Sequence, residues 1–195
     1  KKAAGEMKER VAQLVGERKA RWIQMGTFHS VFIRFLREYA SLLDYPERFT
    51  IYDQTDSRSV IKQCIKELAL DDKNYRPAVV QGIISMAKNS LVTVGGYRSD
   101  IEITERDRAA RRPRMSDVYE LYQKKCKAAG AMDFDDILLQ MNILLLRFPE
   151  ACEAIRSRFR YILVDEYQDT NHAQYMILRR LAEPHHNICV VGDDS

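Results

Sequence analysis

Two four-residue apolar runs, Tyr161-Ile162-Leu163-Val164 and Ile188-Cys189-Val190-Val191, each lead straight into acidic residues, with one helix-length segment between them. Short continuous runs of this kind predict parallel strands buried on both faces, and parallel pairing demands a crossover, here a helix over about His172–Leu181. Ligands of open α/β sheets bind beyond the carboxyl ends of the strands. Those ends read Asp165-Glu166-Tyr167-Gln168-Asp169 and Gly192-Asp193-Asp194-Ser195. A carboxylate fixed at a strand end suits a hard cation, and Mg2+ is commonly held by one or two carboxylates plus phosphate oxygens and water. Glu166 is then within reach of a metal-side water, where a general base belongs. Solvated loop acids are the plainer reading, weakened by Gln168, Asp169 and the second acidic end.

Upstream the grammar is helical. Met7, Val11, Leu14 and Val15 predict a helix over 3–20, and Trp22–Met25 a short strand ending at Gly26. Thr27 opens a helix carrying Val31, Phe32, Phe35, Leu36 and Tyr39 on one face, broken by Asp44-Tyr45-Pro46. Further helices are expected around Val60–Leu68 and after Pro77, a good first-turn residue. Residues 91–103, with Gly95-Gly96, read as a loop. From Thr104 to Ala129 the pattern is helical, interrupted at Pro113 and stopped at Gly130, and helices follow at about Phe134–Arg147 and Pro149–Arg158. The expected architecture is therefore α/β but mostly helical overall: an all-helical block, 46–134, inserted into a parallel-sheet domain formed by 1–45 and 135–195.

Charge follows this division. The overall balance is only +3, yet residues 1–45 carry 9 basic and 5 acidic side chains while 135–195 carry 6 and 10. A basic front suits a polyanion and an acidic tail a cation. The longest apolar runs, such as Ile143–Leu146, are far below the ~18 residues of a membrane span, so no membrane partner is expected. Cys64, Cys126, Cys152 and Cys189 form no CxxC pair, and His29, His172, His185 and His186 no metal-type spacing. Reduced thiols and a cytoplasmic location follow as expectations, with Cys189 inert in a buried strand. The start on Lys1-Lys2 and the stop at Ser195 suggest a piece of a longer protein.

Five short elements, in order, carry a resemblance. Val164-Asp165-Glu166-Tyr167-Gln168-Asp169-Thr170-Asn171 resembles the DExQD Walker-B motif of the UvrD/Rep/PcrA family of superfamily-one DNA helicases. Val191-Gly192-Asp193-Asp194-Ser195 is similar to the start of that family's third motif, short of its glutamine. Lys2-Ala3-Ala4-Gly5-Glu6-Met7-Lys8-Glu9-Arg10 is similar to the tail of motif Ia, Gly26-Thr27-Phe28-His29-Ser30 to motif Ib, and Met132-Asp133-Phe134-Asp135-Asp136 to the Asp-Phe-Asp-Asp element. The resemblance implies a partial P-loop (RecA-like) ATP-binding domain, 1A, with the helical block as inserted domain 1B. It implies ATP and Mg2+ as ligands, Asp165 holding the metal, Glu166 activating water, Gln168 sensing the γ-phosphate, and Asp193 beside the nucleotide. It also implies 3′-to-5′ movement on single-stranded DNA and unwinding of duplex DNA, in repair, replication or recombination.

No GxxxxGK[ST] phosphate loop occurs in the 195 residues. The P-loop segment and a second motor domain would have to come from the remainder of the polypeptide, and the chain by itself is expected to be inactive as an ATPase.

On the nucleic-acid side, Thr27, His29 and Ser30 lie where a strand passes into a helix, a place that suits phosphate. A capping Thr27 with a packed His29 is the alternative, and motif Ib resemblance favours DNA. Arg106, Arg108, Arg111, Arg112 and Arg114 form the densest basic cluster and could track phosphates, or be a solvated face. Lys124, Lys125 and Lys127 would extend it. Tyr119 and Tyr122 are expected to pack, and Asp133, Asp135 and Asp136 to serve as helix-start carboxylates. Two other functions compete: a metal-dependent nuclease around Asp165, Glu166 and Asp193, and a non-catalytic DNA-binding or protein-docking module.

Overall fold

The computed structural model describes residues 2–193, with side chains from residue 5 onward. Asp194 and Ser195 of the second acidic strand end, and Lys1, lie outside the described residues. The chain begins with α1 (Lys2–Val15) and α2 (Glu17–Ala20). The single helix expected over 3–20 is divided at Gly16, whose φ of 83° only glycine adopts without strain. The strand expected at Trp22–Met25 is absent: the segment is irregular, Trp22 is 86% exposed, and neither described sheet includes it. A strand needs a neighbour to satisfy its backbone, and among the described residues no strand pairs with this segment.

Helix α3 (Phe28–Glu38) buries Phe32, Phe35 and Leu36, and a 3-10 turn, Ala40–Leu43, ends at Asp44 with a left-handed φ of 57°. Strand β1 (Thr50–Tyr52) follows, too short and too mixed to stand out in the sequence. Next come α4 (Gln54–Glu67), capped reciprocally by Asp53 and Asp56, and α5 (Pro77–Asn89), opened by Pro77. The expected loop at 91–103 is instead helical: α6 (Val94–Ser99) and the start of α7 (Ile101–Ala109). Thr93 accepts the Gly96 N–H and Asp100 the Ile103 N–H, and buried Tyr97 packs edge-on against Tyr119 at 5.9 Å. Caps and one anchored aromatic outweigh the helix-weakening of two glycines. After Pro113, α8 (Met115–Ala128) stops at Gly130 (φ 58°), where a Cβ would lie 2.9 Å from Pro46 Cγ.

Strand β2 (Ala131–Asp133) returns beside β1 in parallel register, Thr50 with Ala131 and Tyr52 with Asp133. The chain then runs through α9 (Phe134–Arg147), α10 (Pro149–Arg156), β3 (Ile162–Val164), α11 (His172–Ala182) and β4 (Ile188–Val190). β3 and β4 pair in parallel, Ile162 with Ile188 and Val164 with Val190. The expectation of burial on both faces fails here. Val164 is buried, but Leu163 is 78% exposed and β4 is exposed throughout, Cys189 included. No described element covers that face of the pair.

Two apolar clusters organise the molecule. Phe32, Phe35 and Leu36 of α3 meet Ile137, Leu138 and Met141 of α9 and Ile177 and Leu181 of α11. The second joins Ile61, Cys64 and Ile65 of α4, Val80 and Ile84 of α5, and Val118, Tyr119 and Tyr122 of α8. Full burial of each such side chain contributes roughly 1.5–3 kcal/mol. Tyr119 and Tyr122 thus pack rather than face solvent.

Between the clusters sits a charge that the sequence did not advertise. Lys88, at the end of α5, is fully buried with its Nζ 2.6 Å from Asp133 Oδ2 and 2.8 Å from Asp136 Oδ1. Tyr122 donates its hydroxyl to Asp133 at 2.7 Å. Asp133 and Asp136 also cap α9 reciprocally. The helix-start role expected of these aspartates is what they have, with a buried ammonium added.

Candidate nucleotide and DNA sites

The parallel register of β3 and β4 brings their carboxyl ends to one edge. Past that edge the two chains stay together: Val191 N–H donates to Val164 O at 2.8 Å and Tyr167 N–H to Val191 O at 2.9 Å. The turn between is tight. Glu166 takes a left-handed φ of 52°, and its N–H donates to Asp165 Oδ1 at 3.0 Å. A 3-10 turn, Tyr167–Asp169, then carries Gln168 back across the strand ends.

Gln168 ties the acidic residues together. Its Nε2 donates to Glu166 Oε2 at 2.6 Å, and its Oε1 accepts the Asp193 N–H at 3.2 Å. Gly192 permits this approach, since a Cβ there would lie 2.8 Å from Gln168 Oε1. Asp165, Glu166, Gln168, Asp169 and Asp193 are all exposed. One edge therefore presents a carboxylate that accepts its neighbour's N–H, a second one oriented by an amide, and a third strand-end acid.

This donor set fits Mg2+ chemistry of a particular kind. Among the described residues no three His, Cys, Asp or Glu side chains group into a metal-holding cluster. Among the described residues, Asp165, Glu166 and Asp193 thus do not converge into an all-protein cage. Asp165, exposed at a strand end, would fit as one oxygen ligand of a hard cation whose other ligands are water and phosphate.

The basic side is built differently from expectation in detail. Thr27 Oγ1 accepts the Ser30 N–H at 3.3 Å, and Ser30 Oγ donates to Thr27 O at 2.9 Å, so both hydroxyls cap α3. A Cβ on Gly26 would collide with Ser30 Oγ. His29 Nε2–H donates to Phe134 O at 3.1 Å, and the two rings meet tilted at 46° with centroids 4.9 Å apart. Burial of the imidazole lowers the His29 pKa below its ordinary 6.5, against the opposing pull of the Phe134 carbonyl and Asp135. Phe134 itself is 54% exposed, an aromatic face set between two acids. Its signal in the sequence is an apolar residue at the first position of a helix, between two aspartates.

The five arginines are not equivalent. Arg108 is ion-paired with Glu105. Arg114 is held by Asp117 and by Leu68 O, and its own N–H donates to Tyr75 Oη at 2.9 Å. Arg112 is half-buried, its Nε without a partner. Arg106 and Arg111 are exposed and make no salt bridge among the described residues, and Arg111 holds a left-handed φ of 59°. Lys124, Lys125 and Lys127 pair with Glu120, Glu67 and Asp44. Much of the basic cluster is thus neutralised in place.

Comparison with known proteins accords with these features. A family model for the UvrD/REP helicase N-terminal domain matches residues 1–195. The ATP-dependent DNA helicase UvrD1 of Mycobacterium tuberculosis is 43% identical over 204 residues, covering 98% of this chain and 25% of that protein. ATP-dependent DNA helicase PcrA of Staphylococcus aureus is 43% identical over 194 residues, covering all of this chain and 26% of its own length. UvrD1 of Mycobacterium leprae is 40% identical over 203 residues. The chain spans about a quarter of the length of these curated relatives.

Proposed function

The chain belongs to the UvrD/REP helicase N-terminal domain family, and on that premise we propose that it is the part of an ATP-dependent DNA helicase that holds the metal ligand, the general base and part of the DNA track. The observation that carries this reading is the bridge made by Gln168 between Glu166 and Asp193, on neighbouring parallel strand ends. It gathers at one edge the groups a phosphoryl-transfer site needs on its metal and water side.

In this reading Asp165 holds Mg2+, which neutralises charge developing on the nucleotide phosphates. Glu166, its carboxylate aimed by the Gln168 amide, accepts the proton of the attacking water. Gln168 is placed to exchange its Glu166 and Asp193 bonds for the terminal phosphate, and so to report whether that phosphate is present. Residues 1–45 and 135–195 form the RecA-like part, and 46–134 the helical insertion. A second apolar cluster lying wholly within 46–134, with the β1–β2 pair at its root, supports that division. Single-stranded DNA lies over Thr27, His29, Ser30 and the open Phe134 ring, and Arg106 and Arg111 reach duplex phosphates. Movement is 3′-to-5′, with unwinding of the duplex ahead. The P-loop and second motor domain belong to the remainder of the polypeptide.

The test uses the full-length protein. DNA-stimulated ATP hydrolysis is expected, with unwinding of a duplex bearing a 3′ tail and not a 5′ tail. Glu166→Gln should retain ATP binding and lose hydrolysis by a factor of about 100 or more. The 195 residues by themselves should hydrolyse no ATP. DNA cleavage with Mg2+ and no nucleotide would favour the nuclease instead.

A further inference from the structure

A polar chain of three side chains crosses from the helical block to both candidate sites. Asn89, the last residue of α5, donates Nδ2 to Asp135 Oδ1 at 2.8 Å, and its Oδ1 accepts Asn171 Nδ2 at 2.7 Å. Asp135 directly follows Phe134, whose ring packs tilted against His29. Asn171 directly follows the acidic segment 165–170 and caps α11: its Oδ1 accepts the Gln174 N–H at 2.9 Å, and its own N–H donates to Gln174 Oε1 at 3.0 Å. The bonds from Asn89 to Asp135, from Asn171 to Asn89, and between Asn171 and Gln174 are part-buried, where water competes poorly.

The chemistry of the link is specific. Asn89 must act as donor toward a carboxylate and as acceptor toward an amide at the same moment, which among side chains of this length only an amide does. Neighbouring Lys88 fixes the backbone, because its buried ammonium is locked to Asp133 and Asp136 at the start of α9. The end of α5 is therefore seated on the N-terminus of α9 by one residue and on the N-terminus of α11 by the next. A displacement of α9 by a strand lying on Phe134 cannot occur without moving Asn89, and through it the helix start that follows Asp165–Thr170.

We propose that Asn89 is a positioning residue that couples occupancy of the His29–Phe134 face to the acidic strand end, acting through Asn171. The proposal rests on the helicase reading above and deepens it. It assigns the communication between the two sites to the helical block's root rather than to the strand ends alone.

Two substitutions in the full-length protein separate this from a structural role. Asn89→Ala deletes the bonds to Asp135 and Asn171, together with the one its Nδ2 makes within α5 to Ser85 O at 2.9 Å. Asn171→Asp keeps an oxygen for the Gln174 N–H, and Asp caps helices as well as Asn does, but it removes the donor toward Asn89. The measurements are ATP hydrolysis without DNA, hydrolysis at saturating oligo-dT, and oligo-dT affinity without nucleotide. Expected for both variants is basal hydrolysis within about twofold of wild type, unchanged affinity, and stimulation by DNA reduced about tenfold or more, a tenfold loss being 1.36 kcal/mol of coupling. Undiminished stimulation in both variants overturns the proposal, and so does a proportional fall of basal and stimulated rates. A wild-type protein whose hydrolysis DNA does not stimulate overturns the helicase reading itself, and the proposal with it.

Discussion

The side-chain oxygen of Gln168 accepts the backbone N–H of Asp193 at 3.2 Å. One side chain thus spans from the turn after β3 to the end of β4, while its amide group holds the Glu166 carboxylate. In Gln168→Glu the amide donor becomes a second carboxylate facing Glu166. We expect the DNA-stimulated kcat of the full-length protein to fall about tenfold or more and ATP affinity to weaken as well, because the bond that orients Glu166 is lost and a carboxylate replaces the amide that faces the terminal phosphate. Steady-state kinetics at varied ATP check this.

Lys88 should be among the residues least tolerant of substitution. Replacement by Met leaves Asp133 and Asp136 buried without their cation, and breaking a buried pair in this way costs about 3–5 kcal/mol. Urea unfolding of Lys88→Met against wild type measures it, and a shift under 1 kcal/mol would mean the pair is not dry.

The same cluster gives a pH dependence. Burial and the neighbouring Asp133 charge push Asp136 from 3.8 up to about 6, so the folded chain holds this proton more tightly than the unfolded chain. Stability from Asp136 is therefore present below about pH 4 and is lost as pH rises through about 6. Asp133, held below 3.8 by Lys88 and hydrogen bonds despite burial, works in the opposite sense and loses its contribution on further acidification. Unfolding free energies of wild type and Asp136→Asn between pH 4 and 7 should differ in slope, the variant lacking the decline.

For DNA, the arginines divide by their existing partners. Arg106→Ala and Arg111→Ala should each lessen the salt dependence of duplex binding by about 0.9 in log–log slope. Arg114→Ala, which severs bonds to Asp117 and Leu68 O, should lower stability as well. Binding isotherms across a salt series distinguish them; an unchanged slope in Arg106→Ala/Arg111→Ala removes these two from the footprint.

Phe134→Ala should weaken single-strand binding by about 1–3 kcal/mol, the usual value of a base stacked on an aromatic ring. The His29 imidazole, whose pKa burial lowers, packs tilted against that ring. Fluorescence anisotropy with oligo-dT measures the loss, and an unaltered affinity would make Phe134 a spectator.

The strands and helices near the acidic ends were legible because local signals agreed there: apolar run, acid, cap, apolar period. Phe134–Arg147 begins and ends where Asp133 and the Pro149 break say it should. Failures came where neighbours decide. Trp22–Met25 has strand composition and no strand beside it, while β1 has little apolar signal and becomes a strand because Gly130 and Ala131 arrive next to Thr50. Cys189 and Leu163 read as buried from their runs, but burial depends on what covers the sheet. At the sites, Asp165 and Glu166 were visible as types at a spacing. The Gln168 bridge, the Lys88 ion pair and the Asn89 link join residues between 2 and 82 positions apart, and only the fold shows them.

The most direct test is the structure of the full-length protein with Mg2+ and a non-hydrolysable ATP analogue. The account predicts the metal at the Asp165 carboxylate, directly at about 2.1 Å or through one bound water, with the terminal phosphate facing Glu166 and Gln168. A nucleotide bound elsewhere, leaving the ends of β3 and β4 open to solvent, would contradict it.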